Sequence, residues 1–290
     1  MSNLKGLGVA LVTPFNEDLS VDFDSLTKLV EFNIENGTNY LVVLGTTAEV
    51  ATLSTAEKNA VIQHIIKINN KRLPLVLGIG GNDTMEVERQ IEEADLSAFE
   101  AVLSVSPYYN RPSQEGLYQH YKMLAGTGKK IIIYNVPSRT GQNLEASTTL
   151  RLAKDFPTLF MIKEAGPNIN QYFDILRQKP DNFNLVSGDD EFTLPVTLAG
   201  GQGVISVIGQ GYPKEFSTMC QLAFDGKVKE AYEIHNKMVE ITRLIFAEGN
   251  PAGIKTILAE MGIVKNFVRL PLVVATEGLQ EKIKAEMAKI

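Results

Sequence analysis

The chain has one cysteine, Cys220, so it cannot close a disulfide within itself, and the stapled scaffolds of small secreted proteins are excluded. It has no long run of lysine and arginine, and its formal charge of −6 leaves no basic stripe for a nucleic-acid backbone. Small anions remain possible ligands, because local positive groups in a cleft matter more than total charge. Every apolar run meets a glycine or polar residue before reaching the length of a membrane span, and the opening Met1-Ser2-Asn3-Leu4-Lys5 holds no signal-peptide core. Histidine is scarce too: His64, His120 and His235 fall in helical segments at no metal-ligand spacing and are expected to pack rather than to bind. These absences predict a cytoplasmic protein with no nucleic-acid partner, no membrane association and no metal. What is present is an ordinary globular composition, 290 residues with 44% hydrophobic side chains, enough to bury a large core.

Apolar and β-branched runs occur at 8–12, 40–44, 75–79, 101–105, 130–134, 160–163, 183–187 and 203–207. They read as nearly continuous hydrophobic strands rather than as alternating ones, the pattern of a parallel sheet covered by helices. Segments of helical spacing separate them, among them 24–35, 55–69, 84–94 and 145–155, several opening on a Ser, Thr or Asp able to cap free N–H groups. Eight such units predict an α/β fold, a closed (β/α)₈ TIM barrel rather than an open doubly wound sheet. From about Pro213 onward the strands cease and two or three extra helices are expected, with loops near Gly249-Asn250-Pro251 and Arg269-Leu270-Pro271. The expected division is a barrel over residues 1–225 and a C-terminal helical extension over 226–290, packed as one body because no linker-like sequence parts them.

Functional residues of such barrels sit at the C-terminal ends of strands. That rule gathers Gly45-Thr46-Thr47-Ala48-Glu49, Ser106-Pro107-Tyr108-Tyr109-Asn110, Tyr134 through Thr140, Lys163-Glu164, Gly188-Asp189-Asp190 and Gly209-Gln210-Gly211 on one rim. Lys163 stands out, because it ends an otherwise apolar strand. A neutral lysine amine in a partly dry cavity attacks a ketone to give an imine, and loss of a neighbouring proton then gives an enamine, a carbon nucleophile. Tyr134, one strand back, and Thr47 are hydroxyls suited to carry protons. Thr46 and Thr47, just past Gly45, could receive the carboxylate of a 2-oxo acid, and the planar fork of Arg139 could hold a second acidic substrate.

Plainer roles remain open for these residues. Lys163 could pair with Glu164, Thr46 and Thr47 could cap the next helix, Tyr134 could simply pack, and Arg139 after Pro137 could lie in a turn. Asp189-Asp190 is too thin a ligand set to argue for a metal. Gly78-Ile79-Gly80-Gly81 follows a strand but lacks the remaining features of a dinucleotide site.

The motifs also carry a resemblance. Leu11 through Phe15, Gly45-Thr46-Thr47-Ala48-Glu49, Pro107 through Leu117, Tyr134 through Gly141, Ile162-Lys163-Glu164-Ala165 and Gly203 through Val207 together resemble the dihydrodipicolinate synthase / N-acetylneuraminate lyase family of pyruvate-dependent class I aldolases, from about Gly6 to Pro271. The resemblance implies that Lys163 condenses with pyruvate and that the enamine attacks L-aspartate 4-semialdehyde, in the diaminopimelate route to lysine, with no cofactor beyond the covalent imine. It implies Tyr134 as central proton carrier, Thr47 as its relay, Tyr109 reaching in from a neighbouring subunit, and Arg139 gathering the semialdehyde carboxylate. Thr46, Thr47 and the backbone near Ile205 would surround the pyruvate, in a homotetramer built from tight dimers. Thr46-Thr47 and Ser138-Arg139-Thr140-Gly141 favour this branch over the sialic acid lyases and other 2-oxo acid aldolases. Asn82, Glu86 and Tyr108 match the family's allosteric lysine pocket, whereas Lys58 stands where lysine-sensitive members often have histidine. Ala48 replaces a family glycine, so either its backbone is ordinary or the loop has moved, and Gly166-Pro167 follows Glu164-Ala165 where Thr-Gly is usual.

Overall fold

In the computed structural model, which describes residues 3–290, eight parallel strands close into a barrel in chain order. They are β1 (Gly6–Ala10), β2 (Tyr40–Val43), β3 (Leu75–Gly78), β4 (Ala101–Val105), β5 (Ile131–Asn135), β6 (Leu159–Glu164), β7 (Asn184–Ser187) and β8 (Gly203–Ser206). Met1 and Ser2, which begin the segment read as lacking a signal core, lie outside the described residues.

Alternation along each strand sorts the apolar residues into two layers. Ala10, Val42, Val76, Leu103, Ile132, Met161, Val186 and Ile205 form one buried cluster inside the barrel. Their strand neighbours Val9, Val43, Leu77, Ile133, Ile162, Leu185 and Val204 pack outward under the helices. Both faces are dry, which is why the strands read as continuous apolar runs. Each buried Val, Leu, Ile or Met among them contributes roughly 1.5–3 kcal/mol by leaving water.

The seam joins β1 to β8 in register from Gly6 opposite Gly203 to Val9 opposite Ser206. Gln210 is fully buried beside it: its Nε2 donates to the Ala10 carbonyl at 3.1 Å and its Oε1 accepts from the Val12 N–H at 2.9 Å. The sequence places the first strand at 8–12, two residues too late. Pairing with β8 begins the strand at Gly6, and the Val12 N–H is taken by a side chain instead of a ladder partner.

Caps begin the helices where hydroxyls and carboxylates stand free. Asp22 accepts from the Ser25 N–H at the start of helix Phe23–Glu35, and Ser54 with Glu57 forms a capping box on helix Thr55–Asn69. After β8 four helices follow, Pro213–Phe224, Val228–Phe246, Ala252–Glu260 and Glu277–Met287, against the two or three expected from Pro213 onward. The first is a covering helix of the barrel, since Phe216, Met219 and Cys220 share a cluster with Leu7 and Val204. Helical periodicity alone does not show which body a helix covers. Ile241, Ile254 and Leu258 of the later helices join that same cluster. None of the helices among the described residues is long and apolar enough to cross a membrane.

Candidate active site

Tyr134 and Lys163 are register partners at the ends of β5 and β6, both almost fully buried. The Lys163 Nζ lies 4.3 Å from the centroid of the Tyr134 ring. Gly188, just after β7, makes the room: a Cβ there would come within 2.8 Å of the Lys163 Cε and 2.7 Å of the Ala165 Cβ. Glu164 leaves β6 on the opposite face, so the adjacent acid is not the lysine's partner. Its carboxylate accepts from the Asn135 amide at 2.9 Å, the Gln171 amide at 2.8 Å and the Gly166 N–H at 2.7 Å. Burial pushes the Glu164 carboxyl up to about 7, against the pull of those donors. The unusual Gly166 therefore has a local task, because its N–H caps Glu164 and its carbonyl accepts from the Tyr172 hydroxyl at 3.0 Å.

After β2 the chain makes two 3₁₀ turns, Thr46–Ala48 and Val50–Thr52, the first closed by bonds from the Ala48 N–H to the Gly45 carbonyl and from the Glu49 N–H to the Thr46 carbonyl. Leu44, at φ 55°, and Glu49, at φ 56° and ψ 36°, are the left-handed residues of this loop, so Ala48 sits in ordinary backbone and the replacement of glycine is accommodated. Because Ser54 caps the following helix, the two threonines are not its caps. Thr47 is buried and its Oγ1 accepts from the Asn250 Nδ2 at 3.0 Å. The Asn250 carbonyl in turn accepts from Arg139 at 3.5 Å, and Arg139 stands exposed on the short helical turn Pro137–Thr140. Asn250 thus touches both a candidate pyruvate-loop threonine and the candidate anion-binding arginine.

Ile205 is buried on β8 opposite Gly8. The chain beyond it is held by Asp190, whose Oδ2 accepts from the N–H groups of Val207 and Ile208 at 3.1 and 3.2 Å. Burial pushes that carboxyl up to about 6. The Asp189-Asp190 pair therefore braces backbone, and no group of three or more His, Cys, Asp or Glu among the described residues is placed to hold a metal.

Tyr109 has φ 72° and 89% of its surface exposed in this single chain, and Tyr108 beside it is 42% exposed. The candidate effector residues sit nearby in part: the Asn82 carbonyl accepts from Asn110 at 2.8 Å, Glu86 is paired with Arg89 at 2.7 Å, and Lys58 is half-buried on helix Thr55–Asn69. The histidines pack, as their spacing suggested: His64 against Phe23, His235 against Tyr232, and His120 against Tyr121 with its Nδ1 2.8 Å from the Thr84 hydroxyl.

Sequence reasoning placed Gly188 and Asp190 on the rim without giving either a task, and it passed over Asn250 as a site residue. The only signal was their presence in loops at strand ends or, for Asn250, before a proline.

A closed parallel barrel with a buried lysine and tyrosine paired at its strand ends defines a class, the lyases of the class I aldolase kind. The chain belongs to the Dihydrodipicolinate synthetase family, whose family model matches residues 3–290. It is similar to the 4-hydroxy-tetrahydrodipicolinate synthase of Flavobacterium psychrophilum, with 55% identity over 279 residues, 96% of this chain and 95% of that one. The synthase of Parabacteroides distasonis is 49% identical over 289 residues, covering 99% and 97%. Among solved structures, the chloride-inhibited dihydrodipicolinate synthase of Acinetobacter baumannii, complexed with pyruvate, matches with a TM-score of 0.95 at 39% identity over 99% of this chain and 98% of that one.

Proposed function

We propose that the chain catalyses the 4-hydroxy-tetrahydrodipicolinate synthase reaction of lysine biosynthesis, condensing pyruvate with L-aspartate 4-semialdehyde. The observation that carries this reading is Lys163, buried on the inner face of β6 against the Tyr134 ring while the neighbouring Glu164 is bound elsewhere. Its Nζ attacks C2 of pyruvate, the carbinolamine loses water, and the imine forms. The positive imine nitrogen is the electron sink, so C3 gives up a proton and becomes nucleophilic. That carbon attacks the aldehyde carbon of the semialdehyde, and the new alkoxide takes a proton. The substrate's amino group then attacks the imine carbon, closes the ring and expels the Lys163 amine.

Tyr134 is the proton carrier beside the imine, and Thr47 relays to it. Thr46 and Thr47 hold the pyruvate carboxylate together with backbone near Ile205, and Arg139 holds the carboxylate of the second substrate. Tyr109 completes the relay in a tight dimer, two of which make a tetramer. Its exposure in the single chain supports this assignment, since such a ring needs a cover.

The test follows pyruvate-dependent consumption of the semialdehyde through a downstream reductase, with native protein and Lys163→Ala. The variant is expected to lose at least about three orders of magnitude in rate while remaining folded. A folded native protein with no activity beside an active coupling enzyme would send the assignment to other pyruvate aldolases.

A further inference from the structure

Among the buried charged groups that the mechanism above does not use, one is a lysine. Lys255, on helix Ala252–Glu260, is completely buried, and its Nζ donates to the Glu49 Oε1 at 2.6 Å and to the Phe267 carbonyl at 2.8 Å. The ammonium also lies 4.2 Å from the centre of the Phe15 ring, and the Arg269 guanidinium lies 4.5 Å from the same ring. The second oxygen of Glu49 accepts from the Arg269 N–H at 2.9 Å.

Burying a cation and an anion carries a desolvation cost that an apolar pair of similar volume avoids, so stability alone does not explain the arrangement. What the pair does fix is position. Glu49 occupies a left-handed backbone conformation that favours glycine, and its side chain is tethered at both oxygens. Its own N–H closes the turn Thr46–Ala48. The same C-terminal stretch reaches the loop a second time through Asn250 and the Thr47 hydroxyl. A glycine sets how the stretch docks: a Cβ on Gly253 would collide with the backbone of Ile245, so only glycine lets helix Ala252–Glu260 lie this close to helix Val228–Phe246.

We propose that Lys255 is a positioning residue for pyruvate: by holding the Glu49 carboxylate it fixes the turn that presents Thr46 and Thr47 to the substrate carboxylate. The inference rests on the reading of that turn as the pyruvate loop. Lys255 touches no substrate atom and acts only through Glu49.

The experiment uses the assembled full-length protein and begins with borohydride trapping of pyruvate on native Lys163. If the native protein traps none, the reading of the site fails and the positioning role goes with it. If it traps pyruvate, Lys255→Met is compared with Lys255→Met/Glu49→Gln, which removes the unpaired carboxylate while keeping an acceptor for the Arg269 N–H. The double variant is expected to recover most of the melting temperature lost by the single one. Its KM for pyruvate is expected to stay raised by about tenfold while KM for the semialdehyde moves by less than about twofold. Native-like pyruvate KM in a thermally recovered double variant, or an equal rise in both KM values, overturns the proposal. Should the double variant not fold, Lys255→Arg decides: it keeps the charge but moves its centre, and about a threefold or larger rise in pyruvate KM is expected, with an unchanged value counting against the role.

Discussion

Gly188 and Lys163 share one small volume at the ends of β7 and β6, and the lysine has it because the glycine has no side chain. Gly188→Ala should displace the Nζ from its place over Tyr134. A fall in kcat of at least about tenfold, with slower borohydride trapping and an unchanged far-ultraviolet spectrum, is the expected outcome, because a displacement of an ångström is enough to misalign an attacking amine. Glu164, one residue on, makes a different prediction. Its folded value is raised from the ordinary 4.5 to about 7, so between these values the folded chain holds a proton that the unfolded chain has released. Its contribution to stability therefore falls as pH rises through that window and is level above it. His120 acts in the opposite sense: burial lowers it from 6.5 to about 4, so its contribution rises with pH between those values. Glu164→Gln should thus gain stability relative to the native protein between pH 4.5 and 7, whatever its absolute cost. Parallel denaturation profiles across that range would count against the buried carboxyl.

At the scale of elements, the tips of β7 and β8 are joined by one carboxylate. Asp190→Ala would leave the Val207 and Ile208 N–H groups buried and unpaired, and a loss of about 2–4 kcal/mol in denaturant-induced unfolding is expected. This brace also explains what could be read from the chain and what could not. The placement of Lys163 and Tyr134 on adjacent strand ends was legible because each depends on its own strand and on the rule that parallel strands in a barrel neighbour in chain order. The eight strands were legible for the same reason, since their dry faces write themselves as local apolar runs. Asn250 was not, because its meaning lies in a contact with Thr47, 203 residues away. Gly188 reads as an ordinary turn residue until β6 and β7 are set side by side. The start of β1 was misplaced because it is decided by β8, at the other end of the barrel.

For the whole molecule, the proposed role of the exposed Tyr109 links the site to assembly. If its hydroxyl serves a neighbouring subunit, chains carrying Lys163→Ala and chains carrying Tyr109→Phe, each nearly inactive alone, should regain about a quarter of native activity when dissociated and reassembled together. That figure follows because half of randomly mixed dimers are hybrids and each hybrid has one intact site; no recovery would place the relay within one chain. The Lys255–Glu49 pair has its own consequence for the life of the chain. During synthesis the imine lysine and the loop threonines leave the ribosome long before residue 255, so a growing chain has the chemical groups of the site without the fastening that orders them. If the pair positions the loop as proposed, the last helices act as a form of quality control, and a polypeptide that stops after the barrel would hold its first substrate less tightly.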